Sequence, residues 1–159
     1  MNMEAVEGLL RAADSLGASD AFLKSKDTFF WVDWREEDDA IVEYCESLLE
    51  TGELSAEIID ADNEHGFDMY IVYSNKRAKV SLTLSEDDRH ITLCALNDIL
   101  RPDYEVRFVI ASKGSDTLAF VPLPSAEWQA LERRYGKQVE KHFYRIAGKP
   151  NLYTDPLPF

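Results

Sequence analysis

Apolar residues in the first fifty positions recur at three- and four-residue spacings. Met3, Val6, Leu9, Leu10, Ala13 and Leu16 make one stripe, which predicts a helix over Met3 to Leu16 stopped by Gly17. A second helix is expected from about Glu36 to Thr51, with Ile41, Tyr44, Cys45, Leu48 and Leu49 on one side and Gly52 as its C′ residue. Its first turn holds Glu36, Glu37, Asp38 and Asp39, where carboxylates meet the positive end of the helix dipole. Between the two, Ser19 to Trp34 is dense in aromatics (Phe22, Phe29, Phe30, Trp31, Trp34) and its spacing assigns no element.

From residue 55 the period shortens to two. Ala56 to Ala61 reads as a strand and Asp62 to Gly66 as a turn. Phe67, Met69, Ile71 and Tyr73 alternate along a second strand, and Val80, Leu82 and Leu84 along a third. Ser74-Asn75-Lys76-Arg77 closes that pair as a hairpin. Over Ser85 to Leu100 two periods compete. Alternation in His90 to Leu96 favours a strand; a capping box from Ser85 to Asp88, with Leu93, Leu96, Ile99 and Leu100 on one face, favours a helix ended by Arg101-Pro102. The helix is the better reading. Tyr104 to Ala111 and Thr117 to Val121 predict two more strands around the turn Ser112 to Asp116. Ser125 then caps a long helix carrying Trp128, Leu131, Tyr135, Val139, Phe143 and Ile146, with Gly136 as an interruption. The tail, Ala147 to Phe159, is expected to be extended and packed through Leu152, Tyr153 and Phe159. Short connections between consecutive strands imply a single α+β domain: an antiparallel sheet of about five strands, helices mainly on one face, two N-terminal helices and a long C-terminal one.

Composition narrows the function classes. The 159 residues suit one core, and 17 basic against 30 acidic residues give a net charge of −13. That balance argues against a nucleic-acid binder, whose affinity comes from neutralising phosphates, and against an anionic membrane surface. The acidic start of the chain shows no signal peptide, and the apolar runs fall far short of the ~20 residues that span a bilayer. Cys45 and Cys94 are too few for a disulfide framework. A cytoplasmic protein is expected.

The charge is unevenly placed. Residues 1–66 carry a net −14 and residues 67–159 a net +1. Asp33, Glu36, Glu37, Asp38, Asp39, Glu43, Glu46, Glu50 and Glu53 crowd one helix and its approach, where like charges three and four apart repel. A solubilising surface is one explanation. The other is a docking face for a basic partner, which relieves that repulsion and speeds association. Phe30, Trp31 and Trp34 beside it have the side chains that anchor interface centres. Asp60, Asp62 and Glu64 extend the acidic set.

Candidate chemistry is sparse. Asp60, Asp62, Glu64 and His65 offer oxygens and an imidazole to a divalent cation, which leaves a metal-dependent hydrolase as the alternative. The calcium-loop pattern fails, since His65 takes its glycine position and Ile71 its last acid. His65, His90 and His142 have no ligand spacing, and His90 and His142 read as surface or boundary residues. Cys45 and Cys94 read as small buried hydrophobes with no base beside them in sequence. No phosphate loop or nucleophile elbow is present, and no cofactor is indicated. A non-catalytic adaptor is a third possibility.

The stretch Leu96 to Phe108 (LNDILRPDYEVRF), with Ala119 to Leu123 (AFVPL) and Trp128 through Tyr135-Gly136, resembles immunity proteins of bacterial polymorphic toxin systems, including those of contact-dependent growth inhibition. The likeness spans about residues 67–146. It implies a small cytoplasmic α+β protein, without catalytic activity, that binds and blocks a cognate toxin domain. Such toxins are often nucleases with basic clefts, for which an acidic inhibitor is expected. The partner-binding residues expected on that basis are Trp31, Asp33, Trp34, Glu36, Glu37, Asp38, Asp39, Glu43, Glu46, Asp60, Asp62 and Glu64.

Overall fold

A computed structural model describes residues 3–12, 15–25 and 27–159. The elements, in order, are α1 (Met3–Arg11), α2 (Ser15–Leu23), β1 (Phe30–Asp33), α3 (Asp38–Leu49), β2 (Leu54–Asp60), β3 (Phe67–Tyr73), β4 (Lys76–Lys79), α4 (Asp88–Leu100), β5 (Tyr104–Val109), a 3₁₀ turn (Ile110–Ser112), β6 (Thr117–Pro124), α5 (Ser125–His142) and β7 (Phe143–Arg145). The class is α+β, but with two antiparallel sheets rather than one of about five strands. One has the order β1-β6-β5-β7 and the other β2-β3-β4.

Burial explains the layering. Strand alternation in β5 and β6 sends Val106, Phe108, Leu118 and Phe120 to one face of the larger sheet, and Val109, Ala119, Val121 and Leu123 to the other. The second set packs with Val6, Leu9 and Leu10 of α1, Phe22 of α2, and Trp128, Leu131 and Val139 of α5. The first set meets Ile41, Val42 and Cys45 of α3 and Leu93, Leu96 and Leu100 of α4, which in turn cover Met69, Ile71 and Tyr73 of the smaller sheet. Helices therefore cover both faces of the larger sheet, not mainly one. Asn97, buried on α4, donates to the Val106 carbonyl (2.9 Å) and accepts from the Val106 N–H (2.7 Å), serving β5 as a neighbouring strand would.

Several local expectations change. The N-terminal stripe is two helices, and Gly17 lies inside α2 instead of ending α1. One straight helix would carry Phe22 about 18 Å beyond Leu10 at 1.5 Å per residue, away from the core they share. Ala13 lies outside the described residues. The left-handed residue closing α3 is Glu50 (φ 52°), not Gly52. The β3–β4 turn is the two residues Ser74-Asn75, Ser74 having φ 56°, so Lys76 already faces Tyr73. The paired register ends at Lys79, the Val80 N–H makes one last bond to the Met69 carbonyl (2.9 Å), and Val80 to Leu84 is a loop.

In the last helix, Gly136 (φ 23°, ψ −94°) makes a kink, and the helix ends before Phe143. Phe143 and Ile146 belong to different cores, which opposite faces of an extended chain can reach and one helical stripe cannot. At the start of α4 the expected capping box is half made: the Ser85 hydroxyl oxygen accepts from the Asp87 N–H (3.1 Å), while the Asp88 carboxylate turns back to Thr83 and Leu84. Ser125 is not the cap of α5 but its first helical residue, after Pro124. The tail is a built turn as well as an extended strap: buried Asn151 accepts from the Tyr153 and Thr154 N–H groups, and the Tyr153 hydroxyl donates to the Val32 carbonyl. Leu157 also packs on the core. Among the described residues no helix is long and apolar enough to cross a membrane.

Candidate functional site

Trp34 follows the end of β1, and its surroundings are fixed by short polar turns. The Asp33 carboxylate accepts from the Arg35 backbone (2.8 Å), Arg35 Nε (3.0 Å) and Thr117 Oγ1 (3.1 Å). The hydrogen bonds from Arg35 hold the Asp33 carboxyl well below the usual carboxylate range. The Trp34 ring is left 40% exposed, with the Arg35 guanidinium 5.5 Å from its centre.

Arg89, on the first turn of α4, anchors the same segment from beneath. Its Nη1 donates to the Trp34 carbonyl at 2.9 Å. Its Nε and Nη2 grip both oxygens of Asp38 at 2.9 and 2.8 Å, and Thr92 adds a third donor at 2.8 Å. Burial raises the Asp38 pKa, against the pull of Thr92 and Arg89. Asp38 is thus a structural acid.

The third wall is the loop before α4. Buried Asp88 accepts from the Thr83 N–H (2.8 Å), the Thr83 hydroxyl (2.6 Å) and the Leu84 N–H (3.0 Å). This holds Leu84 at φ 61°, a conformation that costs an L-residue roughly 1 kcal/mol, with its side chain 57% exposed.

These pieces enclose connected grooves. The largest, about 460 Å³, is lined by Trp34, Glu37, His65, Phe67, Leu84 and Glu86 among others. A second, about 230 Å³, shares Glu37, Asp38 and Phe67 and extends to Asp39 and Ile58. On the other side of Trp34 a third, about 200 Å³, is bounded by Glu86, Asp116, Leu118 and Tyr153. Three large exposed apolar side chains, Trp34, Leu84 and Ile58, therefore border one surface rimmed by Glu37, Asp39, Glu86 and Asp116.

Of the residues expected from sequence, Trp34, Glu37 and Asp39 come together here. Asp33 and Asp38 support the site from within. Glu46 is spent on its own helix end, where it accepts from Thr51 and Gly52. Glu36 interacts with Tyr44, and Glu43 is exposed farther along α3. Phe30 is a core residue stacked on Phe120 at 5.8 Å. Trp31 points to the opposite face of the larger sheet, edge-on to Phe29 at 5.4 Å, so it and Trp34 are not one anchor. The acidic segment is not one face either, since Glu7 of α1 pairs with Arg134 of α5. Leu84, Glu86, Asp116 and Tyr153 had no signal in the sequence, because loops distant along the chain bring them to Trp34.

Asp60, Asp62 and Glu64 are exposed around the β2–β3 turn, while His65 packs edge-on against Phe67 with its Nε2 buried and unpartnered. They do not converge: among the described residues no three His, Cys, Asp or Glu come together as metal ligands. His90 and His142 are buried, not surface residues. His90 Nε2 lies 2.7 Å from the Ala147 carbonyl and 3.5 Å from Cys94 Sγ, and Nδ1 accepts from the Leu152 N–H (3.3 Å). Nε2–H is therefore committed to a carbonyl and cannot take the thiol proton. Burial pushes the Cys94 thiol up to about 11, and raises the fully buried Cys45 thiol further. No family model, no curated protein and no solved structure matches the chain.

The buried histidines set a pH dependence. Burial lowers the pKa of His90 and of His142 below the ordinary 6.5. Near pH 6 the unfolded chain then binds more protons than the folded one, so stability is expected to fall as pH drops below about 6.5. Asp38, raised by burial, acts with the opposite sign. The His90 contribution is therefore read as the flattening of the acid slope in His90→Gln, measured by urea denaturation between pH 7 and pH 5.

Proposed function

We propose that the protein is a non-catalytic, cytoplasmic partner-binding protein of the immunity type, which neutralises a basic toxin domain by covering its cleft with the Trp34 surface. The observation that carries this reading is the combination of exposed Trp34 and Leu84 with the acidic rim of Glu37, Asp39, Glu86 and Asp116. The surface sets large exposed apolar groups beside four carboxylates, with the Arg35 guanidinium over Trp34 as the exposed cation at its edge, and a cationic partner with an apolar contact would satisfy both. The likeness of about residues 67–146 to toxin-immunity proteins supports the same class. The binding face differs from a simple acidic helix: α3 supplies Asp39, the residue capping its start supplies Glu37, and the remaining groups come from loops and the tail.

The test is direct mixing with the product of the gene immediately upstream, the effector that this reading expects there. Tight binding is expected to weaken as salt rises. Trp34→Ala should weaken it by about 30-fold or more, since anchor residues contribute ~2 kcal/mol or above. Neutralising Glu37, Asp39 and Glu86 together should lower the association rate and the salt dependence. An effector that does not bind, or binds equally well to both variants, would sink the proposal. Leu84→Asn supplies an internal control, because asparagine tolerates positive φ. The variant should be more stable by up to about 1 kcal/mol in urea while binding the effector less tightly.

A further inference from the structure

On the far side of the larger sheet from α3 and α4 the chemistry has the opposite sign. Arg107 of β5 is 3% exposed, lies with its guanidinium carbon 4.4 Å from the Trp128 ring, and lines a cleft of about 280 Å³. Its Nη2 donates to both Glu105 (3.1 Å) and Glu132 (2.6 Å), while Nε is buried with no hydrogen-bond partner. Nε and Nη2 form one edge of the guanidinium, the edge on which carboxylates and phosphates bind with two parallel hydrogen bonds. In Arg107 that edge is half used. Buried donors are rarely left so.

Two further guanidinium groups border the cleft. Arg145 meets Glu105 through one contact of 3.1 Å and Arg101 meets Asp98 at 3.3 Å; their side chains are 71% and 65% exposed. Exposed pairs of this kind contribute little, so both arms are free to turn onto an incoming anion. Ser125 and Gln129, one turn apart at the start of α5, add polar side chains to the lining; the Ser125 N–H itself is donated to the Asp103 carbonyl at 2.9 Å. Three arginines outnumber the two glutamates, Glu105 and Glu132, that line the same space.

We propose that this cleft binds a small oxyanion, a carboxylate or a phosphate group, gripped by the Nε–Nη2 edge of Arg107 and closed over by Arg101 and Arg145. Entry displaces Glu132, the more exposed of the two glutamates. The site is independent of the Trp34 surface, and Trp34→Ala should leave it intact.

The test follows the indole N–H of Trp128, which donates to the Glu105 carbonyl at 2.8 Å, by nitrogen-15 NMR of the full chain. Sodium phosphate and sodium acetate are titrated separately against sodium chloride at constant ionic strength. A saturable shift with at least one of the two, absent with chloride, is expected. Saturation by phosphate alone marks a tetrahedral ligand, and by acetate alone a planar carboxylate. Arg145→Gln should weaken the response about tenfold, the loss of one charge-assisted hydrogen bond. Arg107→Lys, which keeps the charge but removes the fork, should abolish it. If Arg107→Lys unfolds, Arg101→Gln combined with Arg145→Gln serves instead, both being surface changes. A shift that never saturates, or one unchanged in the Arg101→Gln and Arg145→Gln double variant, overturns the proposal.

Discussion

Arg89→Met is expected to lower the free energy of unfolding by about 3–5 kcal/mol, a large fraction of the stability of a domain this size. Asp38 would keep the Thr92 hydroxyl but lose both guanidinium bonds, and its carboxylate is only 11% exposed. Taking one partner from a buried pair costs more than the pair itself contributes, because the remaining charge is stranded in a poorly solvating environment. Removing both charges, Arg89→Met with Asp38→Leu, should therefore recover part of the loss; the rest stays with buried Asp88, whose carboxylate lies 3.9 Å from Arg89 and keeps only its Thr83 and Leu84 donors. Urea denaturation of the two single variants and the double variant measures this as a coupling energy. A loss below about 1 kcal/mol for the single variant would mean that water reaches the pair freely. Arg89→Met should also weaken effector binding, since the Trp34 carbonyl loses its anchor; the double variant should stay weak there while regaining stability. That divergence separates the fold's use of the arginine from the use proposed for the surface above it.

Trp128→Ala should cost about 3–5 kcal/mol, the usual range for truncating a large buried aromatic. The indole is 1% exposed and packs edge-on against Phe143 at 5.2 Å. It joins α5 to β5 and β7, so its removal opens a cavity where three elements meet. It also strips the apolar floor from Arg107 and the donor from the Glu105 carbonyl. Trp128→Phe keeps the ring contact and loses only the donor and part of the volume, so its cost should be near 1–2 kcal/mol. Thermal and urea unfolding of the two variants would check the order. Equal costs would place the energy in the hydrogen bond and not in packing.

Elements with a strong period were legible along the chain. The alternation of Phe67, Met69, Ile71 and Tyr73 marks β3; Leu93, Leu96, Ile99 and Leu100 mark the buried face of α4; and Gly136 marks the kink of α5. Each depends on a residue and its near neighbours, which periodicity records. The segment from Ser19 to Trp34 was not legible, because its aromatics serve different cores. Phe22 packs in one, Phe30 in the other, and Trp34 in neither.

The site divides in the same way. Net charge and its concentration before residue 67 are properties of composition, and they already favoured a cationic partner over a phosphate backbone. Which carboxylates remain available was settled by folding. Asp33 and Asp38 look no different from Glu37 and Asp39 on the page, yet arginines at positions 35 and 89 claim the first two and leave the others at the groove. Leu84, Glu86, Asp116 and Tyr153 reach Trp34 only because the second core and the tail bring distant loops together. Local pattern reports what a residue prefers, whereas availability depends on which distant groups the packed chain sets against it.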